Sequence, residues 1–174
     1  GAEVPSSWWP KLYALYAGIY DRKWGRPYLT RAFFDGIPQA LGQRAVVVVA
    51  RDPARAADDG IVAMTLSFEK GRACYGRYWG TREYHPGLHF ECCYYQPIEH
   101  CIEQGIEYFE GGAQGEHKLA RGLLPTKTVS AHWLAHPQFF NAVADFLQRE
   151  QRGIEHYVDE LGEHTPFKLS DNRR

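Results

Sequence analysis

Three consecutive apolar segments restrict the fold more than any other feature of the chain. The valine-rich run at residues 45–50 is typical of a strand that is buried on both faces. Residues 61–69 alternate between apolar and polar side chains, and Lys70-Gly71 then predicts a tight turn into a strand at residues 72–79. These segments together predict an antiparallel meander of three strands.

Helical patterns flank this meander on both sides. Apolar residues with helical spacing from position 8 to position 20 predict a first helix, for which Ser6 and Ser7 are candidate N-caps. Thr30 is the candidate N-cap of a second, shorter helix. Residues 88–104 predict a helix that ends at Gly105. Pro97 inside it should kink the helix or leave a carbonyl oxygen unpaired, because proline lacks the N–H that a helix interior needs.

The second half of the chain continues this alternation of elements. Short strands are predicted at residues 106–112 and 126–134, followed by a helix that begins at Pro137 and is interrupted at Gly153. The order predicts a mixed α/β (α+β) fold with a largely antiparallel central sheet flanked by helices. A length of 174 residues suits a single domain, with a helical segment at 1–43, sheet and helices at 44–162 and a polar tail at 163–174.

Composition narrows the classes of function. The net charge is −1, so no overall basic field favours nucleic acid or a membrane surface, and no apolar run is long enough to predict membrane insertion. The four cysteines form no CxxC motif, which favours reduced thiols and a cytoplasmic location. An initial glycine and a single methionine, Met64, suggest a fragment of a larger protein.

Residues 74–124 hold most of the side chains that could carry chemistry. Glu110 lies in the predicted strand at residues 106–112, and a carboxylate in a central strand is costly unless it is paired or solvated. It is therefore a candidate general base. The alternative is a buried ion pair with Arg77, Arg82 or Lys118, and the sequence leaves both readings open.

The segment that follows this strand is rich in glycine and in charged residues. Glycines after a strand let a ligand approach the backbone closely, and a histidine exchanges protons near neutral pH. His117 is therefore a second catalytic candidate, and Lys118 and Arg121 are candidates for holding phosphate or carboxylate groups. The backbone and side-chain candidates for substrate binding in this loop are Gly112, Gln114 and Gly115.

Further candidates precede the strand. Glu91 is a third candidate acid or base, although a carboxylate in the first turn of a helix is also commonly structural. Histidines, cysteines and Glu91 cluster between residues 85 and 101, but their spacing completes no tetrahedral ligand set, so no metal site is expected. The remaining substrate-binding candidates in this region are Arg77, Tyr78, Trp79 and His85.

Two segments resemble a known family. Residues 76–106, GRYWGTREYHPGLHFECCYYQPIEHCIEQGI, and residues 109–134, FEGGAQGEHKLARGLLPTKTVSAHWL, resemble the carboxy-terminal part of the bacterial FemAB-like family. Its members are labelled peptidoglycan biosynthesis/recognition proteins or GNAT-type N-acyltransferases. The resemblance implies that an acyl donor and an amine meet where the strands at 72–79 and 106–112 separate. The implied mouth is lined by Trp79, Glu110, Gln114, His117 and Lys118.

The resemblance implies a function and leaves the donor open. Acetyl-CoA enzymes of the GNAT type carry Q/R-x-x-G-x-G/A before this helix, whereas residues 81–91 read TREYHPGLHFE and lack that signature. Fem-type relatives use aminoacyl-tRNA, so acyl-CoA and aminoacyl-tRNA both stand as co-substrates, with no bound cofactor. The family's two-lobed members imply a second lobe or a homodimer as partner. The resemblance therefore leads to the hypothesis that the chain transfers an acyl or aminoacyl group to an amine, for example an amine of a cell-wall precursor. The alternative hypothesis is a binding module without catalytic activity.

Overall fold

A four-stranded sheet organises the first 113 residues of the chain. The computed structural model describes residues 1–21, 25–55, 60–112 and 116–163, which fall into two structural units, Gly1–Ala113 and Gln114–Arg174. The helices of the first unit are α1 (Trp9–Asp21), α2 (Arg31–Ala40), α3 (Leu88–Phe90) and α4 (Gln96–Glu103), with a π-helical segment, Glu91–Tyr95, between the last two. Its strands are β1 (Ala45–Arg51), β2 (Ile61–Lys70), β3 (Ala73–Thr81) and β4 (Tyr108–Glu110).

The sheet has the order β1-β2-β3-β4. The first three strands pair antiparallel, and β4 pairs parallel to β3, so the predicted meander and the mixed α/β class are confirmed. The turn between β2 and β3 contains Gly71, whose φ of 62° is a conformation that glycine adopts without strain. Gly105, with φ 66°, follows the end of α4 as the sequence predicts.

The strand that is buried on both faces is β2, not β1. Every residue from Ile61 to Ser67 is buried, whereas β1 is fully buried only at Ala45. The valine run predicted the wrong strand because β1 lies at the edge of the sheet, where only one side of its backbone pairs with another strand among the described residues. Its valines reflect the preference of branched side chains for a pleated, partly buried surface.

The sheet is covered differently on its two faces. On one face, α1 and α2 pack against β2 through a buried apolar cluster that includes Trp9, Leu12, Phe34, Met64 and Leu66. On the other face, the helix formed by residues 88–103 contacts β2, where the hydroxyl of Thr65 lies 3.4 Å from the sulfur of Cys93. Both layers bury apolar surface, the main favourable contribution to folding.

The helix at residues 88–103 is continuous but irregular, as Pro97 predicts. Between α3 and α4, the backbone N–H of Gln96 donates to the carbonyl oxygen of Glu91, an i→i+5 bond that defines the π segment. Pro97 cannot donate to the carbonyl oxygen four residues before it, and a wider turn relieves that mismatch. The irregularity therefore lies directly before the proline and includes the candidate residue Glu91.

Two predictions about helix starts have different outcomes. The hydroxyl of Thr30 accepts a hydrogen bond from the backbone N–H of Phe33 at 3.2 Å, so the predicted N-cap of α2 is confirmed. The predicted caps Ser6 and Ser7 are wrong, because these residues lie inside a 3₁₀ turn, Ser6–Trp8, that no side chain caps. The helix thus begins after Pro5 through a tighter turn.

The second unit contains a 3₁₀ turn, Glu116–Arg121, and one long helix, α5 (Pro137–Glu163). The helix begins at Pro137 as predicted, and it runs through Gly153 without a break, so the predicted interruption is wrong. The strand predicted at residues 126–134 is also wrong, because this described segment forms no ladder with another strand. Of the polar tail predicted at residues 163–174, Glu163 is the last residue of α5, and residues 164–174 lie outside the described residues. Among the described helices, none combines the length and apolar character that crossing a bilayer requires.

Candidate functional site

The meander brings two loops to one end of the sheet. Strands β1 and β3 both run antiparallel to β2, so their carboxyl ends emerge side by side at the point where β2 begins. The loops after them, together with the start of the 88–103 helix, enclose an open cavity of about 740 Å³. Its lining comprises Ala50, Arg51, Asp52, Pro53, Val62, His85, Pro86, Gly87, Leu88, Phe90, Glu91 and Tyr95.

The start of the helix sets the position of two sequence candidates, His85 and Glu91. The backbone N–H of Leu88 donates to the carbonyl oxygen of His85 at 3.2 Å, and that of Glu91 donates to the carbonyl oxygen of Gly87 at 3.0 Å. Gly87 has φ 79°, so the chain can turn sharply from the loop into the helix. As a result, His85 and Glu91 line the same cavity.

The carboxylate of Glu91 is held by its own helix. Its Oε1 accepts a hydrogen bond from Nε2 of Gln96 at 2.9 Å, across the π-helical segment. Glu91 is an exposed residue, and it lines the cavity together with the apolar residues Leu88 and Phe90. A carboxylate in this setting can bind an ammonium group and accept a proton from it.

A chain of charged side chains joins the two loops at the rim of the cavity. Arg55 lies 3.1 Å from Oδ2 of Asp52 and 2.9 Å from Oε1 of Glu83, and Nε2 of His85 lies 3.3 Å from the same Glu83 oxygen. Each member is exposed by a third to a half, so the pairs add little stability. Their main effect is to connect the loop at residues 52–55 to the loop at residues 83–85.

The sequence did not identify Arg51, Asp52, Arg55 or Glu83 as candidates. The loop after β1 has an ordinary polar composition, and no local motif marks it. The predicted meander does imply that these residues lie near each other, because the loops that follow its first and third strands must lie at the same end of the sheet.

Glu110 lies elsewhere on the sheet. It is the last residue of β4, which is an exposed edge strand rather than the central strand that the sequence predicts. Its Oε1 lies 3.3 Å from a guanidinium nitrogen of Arg77, with 47% of the Glu110 side chain exposed. The sequence left two roles open for Glu110, a general base or a member of a buried ion pair. The structure contains an ion pair between Glu110 and Arg77, but this pair is exposed rather than buried.

The pairing of β3 with β4 separates Glu110 from the cavity. Glu110 pairs with Tyr75 near the start of β3, and the pairing covers only residues 73–75 of that strand. The strand continues through residues 76–81 before it reaches the loop that contains His85. At about 3.3 Å per residue, this is roughly 20 Å along the strand. Glu110 and Glu91 therefore belong to two different places on the first unit.

Of the remaining candidates on β3, Tyr78 and Trp79 are half-buried in aromatic contacts, and Arg77 is exposed. The ring of Tyr78 lies 5.4 Å from that of Tyr16 in an aromatic cluster beside α1, and burial raises the pKa of the Tyr78 hydroxyl. Trp79 makes an edge-on contact with the ring of His89 at 5.3 Å. Arg77 lies over the ring of Tyr75 at 5.3 Å, in addition to its contact with Glu110.

The other candidates lie in or near the second unit. His117, Lys118 and Arg121 share the 3₁₀ turn Glu116–Arg121, in which the guanidinium of Arg121 donates to the carbonyl oxygen of His117. Gly112 has φ 88°, a conformation that favours glycine. The candidates Gln114 and Gly115 lie outside the described residues. Within the described residues, no three His, Cys, Asp or Glu side chains are grouped closely enough to hold a metal ion.

All four cysteines are free thiols, three of them buried. Burial raises the pKa of Cys74 to about 12 and the pKa values of Cys92 and Cys93 to about 11, from an ordinary value of 9.0. Because the folded pKa values are raised, the folded state favours the protonated thiols. Their contribution to stability is present below about pH 9 and is lost as the pH rises through 11–12.

These pKa values predict slow labelling of the folded protein. At pH 8 the thiolate fraction should be about 1,000-fold lower for Cys74, and about 100-fold lower for Cys92 and Cys93, than for an unperturbed thiol. Peptide-resolved iodoacetamide labelling, with and without denaturant, measures the ratio. Equal labelling rates of Cys74 in the folded and denatured protein contradict this account.

Comparison with known proteins identifies the family of the chain and one solved structure with a similar fold. The sequence model of the FemAB-like family, described as peptidoglycan biosynthesis/recognition, matches residues 1–169. The chain belongs to the FemAB-like family. The solved tetramutant of the BH1408 protein from Bacillus halodurans is similar to this FemAB-like chain, with a TM-score of 0.51 and 13% identity over 75% of this chain and 97% of that one. At this identity the likeness concerns the fold alone. No curated protein sequence matches the chain significantly.

Proposed function

We propose that this FemAB-like chain transfers an acyl or aminoacyl group to an amine of a peptidoglycan precursor, and that the cavity beside Glu91 holds the reacting groups. One observation carries the proposal. A cavity of about 740 Å³ lies at the start of the helix that follows β3, which is where the family resemblance leads us to expect the donor. Pockets of this size suit a small ligand or part of a larger one.

The chemistry of the lining supports an amine as one reactant. Asp52 and Glu91 provide carboxylates, His85 provides an imidazole, and Val62, Leu88 and Phe90 provide an apolar wall. A primary amine is protonated in water and must lose a proton before it can attack a carbonyl carbon. Glu91 would take that proton as general base.

The same transfer step can be written for a thioester donor and for an aminoacyl ester donor. The amine nitrogen forms a bond to the acyl carbon, and the C–S bond of a thioester or the C–O bond of an aminoacyl ester breaks. Glu91 takes one proton from the ammonium group before the attack and passes it to solvent. The second proton, which the nitrogen loses after the attack, passes through Glu91 to the leaving thiolate or alkoxide, which becomes a thiol or hydroxyl. The chain's net charge of −1 offers no broad basic surface for tRNA, which favours the thioester as donor.

A recognition module is the second candidate function. The signature of acetyl-CoA enzymes is absent from residues 81–91, and the family description includes recognition as well as biosynthesis. In that case the same cavity binds a peptidoglycan fragment without turnover. Mass spectrometry of the amine after incubation with each donor separates the two candidates, because only transfer adds the acyl mass.

Filling the cavity tests the proposed site independently of turnover. Ala50 lines the cavity, and Ala50→Trp should occupy it, whereas Ala32→Trp places the same ring on the exposed face of α2. A saturating muropeptide or acyl-CoA should raise the melting temperature of the wild type and of Ala32→Trp by roughly 5–10 °C. The shift should vanish in Ala50→Trp. An equal shift in Ala50→Trp places the ligand outside this cavity and refutes the proposed site.

A further inference from the structure

Helix α5 of the second unit carries a stripe of exposed apolar side chains. Phe139, Phe140, Phe146, Leu147, Ile154 and Tyr157 lie on this helix, and each has at least 42% of its surface exposed. At 100° per residue these positions fall within about one third of the helix circumference. Scattered apolar residues on a surface are ordinary, but a continuous stripe marks an interaction site.

The stripe has the spacing of a coiled coil. Phe140, Leu147, Ile154 and Leu161 recur every seven residues, and Val143 and Tyr157 occupy the intervening core positions of the same repeat. A seven-residue repeat keeps the seam of one helix facing a second helix that supercoils around it. The best-matched occupant of this surface is therefore another helix with the same repeat.

We propose that α5 pairs antiparallel with α5 of a second copy of the chain. Residues 137–145 carry one charged side chain, that of Asp145, whereas residues 155–163 carry four acidic side chains and no lysine or arginine. A parallel pair would place the acidic halves together. An antiparallel pair centred on Glu150 places each acidic half against residues 137–145, which lowers the repulsion.

The area of the stripe is sufficient for such a dimer. The six exposed side chains are 42–65% accessible. With aromatic and large aliphatic side chains of about 200 Å² each, they offer roughly 600 Å² per chain and about 1,200 Å² per pair. This reaches the lower bound of specific protein interfaces. Lys127 lines a cavity together with Ile154, Val158 and Asp159, so a segment of the same chain faces this part of the helix.

Glu150 provides an internal test of this geometry. It occupies a core position of the repeat at the middle of α5, where the two copies would bring their carboxylates together. A polar core residue fixes the register of a coiled coil at a cost in stability. Removing this charge should therefore strengthen the dimer, which a purely structural role of α5 within one chain does not predict.

Sedimentation equilibrium of the full chain across micromolar concentrations tests the proposal. The wild type should approach twice the 19.9 kDa chain mass. Leu147→Asp should weaken the dimer by about 100-fold or more, and Glu150→Leu should strengthen it by about tenfold or more. Gln148→Asp adds the same charge on the opposite face and should leave the dissociation constant unchanged.

Two outcomes overturn the proposal. A wild type that stays monomeric throughout the concentration range refutes the pairing. A dimer that Glu150→Leu weakens or leaves unchanged refutes the assignment of the α5 seam, even if Leu147→Asp fails to fold. The proposal is independent of the catalytic one, because all three variants lie in the second unit and the cavity lies in the first.

Discussion

Glu91→Gln should lower kcat/KM for acyl transfer by a factor of about 10²–10⁴, the usual contribution of a general base. Glutamine has the same shape as glutamate and keeps a side-chain oxygen that can accept the 2.9 Å hydrogen bond from Gln96. The substitution therefore removes the proton acceptor and leaves the start of the helix in place. Mass-spectrometric assay of the acylated amine, with the donor that stabilises the wild type, measures the loss.

The matched control is Glu110→Gln. It makes the same chemical change on the first unit, but in the exposed pair with Arg77 at the edge of the sheet. We expect kcat/KM to change by less than about threefold and the free energy of unfolding by less than ~1 kcal/mol. If Glu110→Gln abolishes transfer while Glu91→Gln retains it, the reaction takes place at the edge of β4 and the assignment of Glu91 is wrong.

His117→Ala tests the third catalytic candidate. His117 belongs to the 3₁₀ turn of the second unit and is not among the residues that line the cavity. If Glu91 is the base, loss of the imidazole should not remove general-base catalysis. Loss of transfer in His117→Ala together with normal transfer in Glu91→Gln would assign the base to the second unit instead.

Gly80→Ala should reduce the free energy of unfolding by about 3 kcal/mol or more, the largest stability effect expected of any single methyl group in the first unit. A Cβ atom at position 80 would lie 2.5 Å from the carbonyl carbon and 2.6 Å from the oxygen of Leu15. These are backbone atoms of α1, so no side-chain rotation relieves the overlap. Helix α1 would have to move away from β3 and open the aromatic cluster around Tyr16.

The same substitution at Gly36 should have the opposite effect on the free energy of unfolding. Gly36 lies inside α2, and no heavy atom lies within 4 Å of the position that its Cβ would occupy. Alanine is favoured over glycine in a helix by about 0.8–1.0 kcal/mol, so this variant should be more stable than the wild type. Urea unfolding followed by circular dichroism compares the two variants. A Gly80→Ala protein within 1 kcal/mol of wild type contradicts the described packing of α1 on β3.

Local chemistry explains why much of this fold follows from the sequence. A tight turn needs a residue that tolerates positive φ, and Gly71 supplies it between β2 and β3. Pro97 cannot complete a regular helical hydrogen-bond pattern, and the π segment lies directly before it. Thr30 caps α2 with its own hydroxyl. Each of these features depends on residues within about five positions of one another.

Features set by distant parts of the chain were not predictable in the same way. Whether β1 or β2 is buried on both faces depends on which strands pair, and both have apolar composition. The edge position of β4 depends on its pairing with β3 over only three residues. The candidate site shows the same limit: Glu91 and His85 were identified, but the ionic link from Asp52 through Arg55 to Glu83 joins loops about 30 positions apart.

The central claim is that ligands bind in the cavity beside Glu91. Backbone chemical-shift mapping by NMR, with an amine-bearing muropeptide added to the isotopically labelled chain, tests this claim most directly. We expect the largest shifts at residues 50–53 and 85–95, two segments that contain nearly all residues of the cavity lining. Shifts concentrated at residues 73–77 and 108–110, around the pair of Arg77 and Glu110, or at residues 116–121, would contradict it.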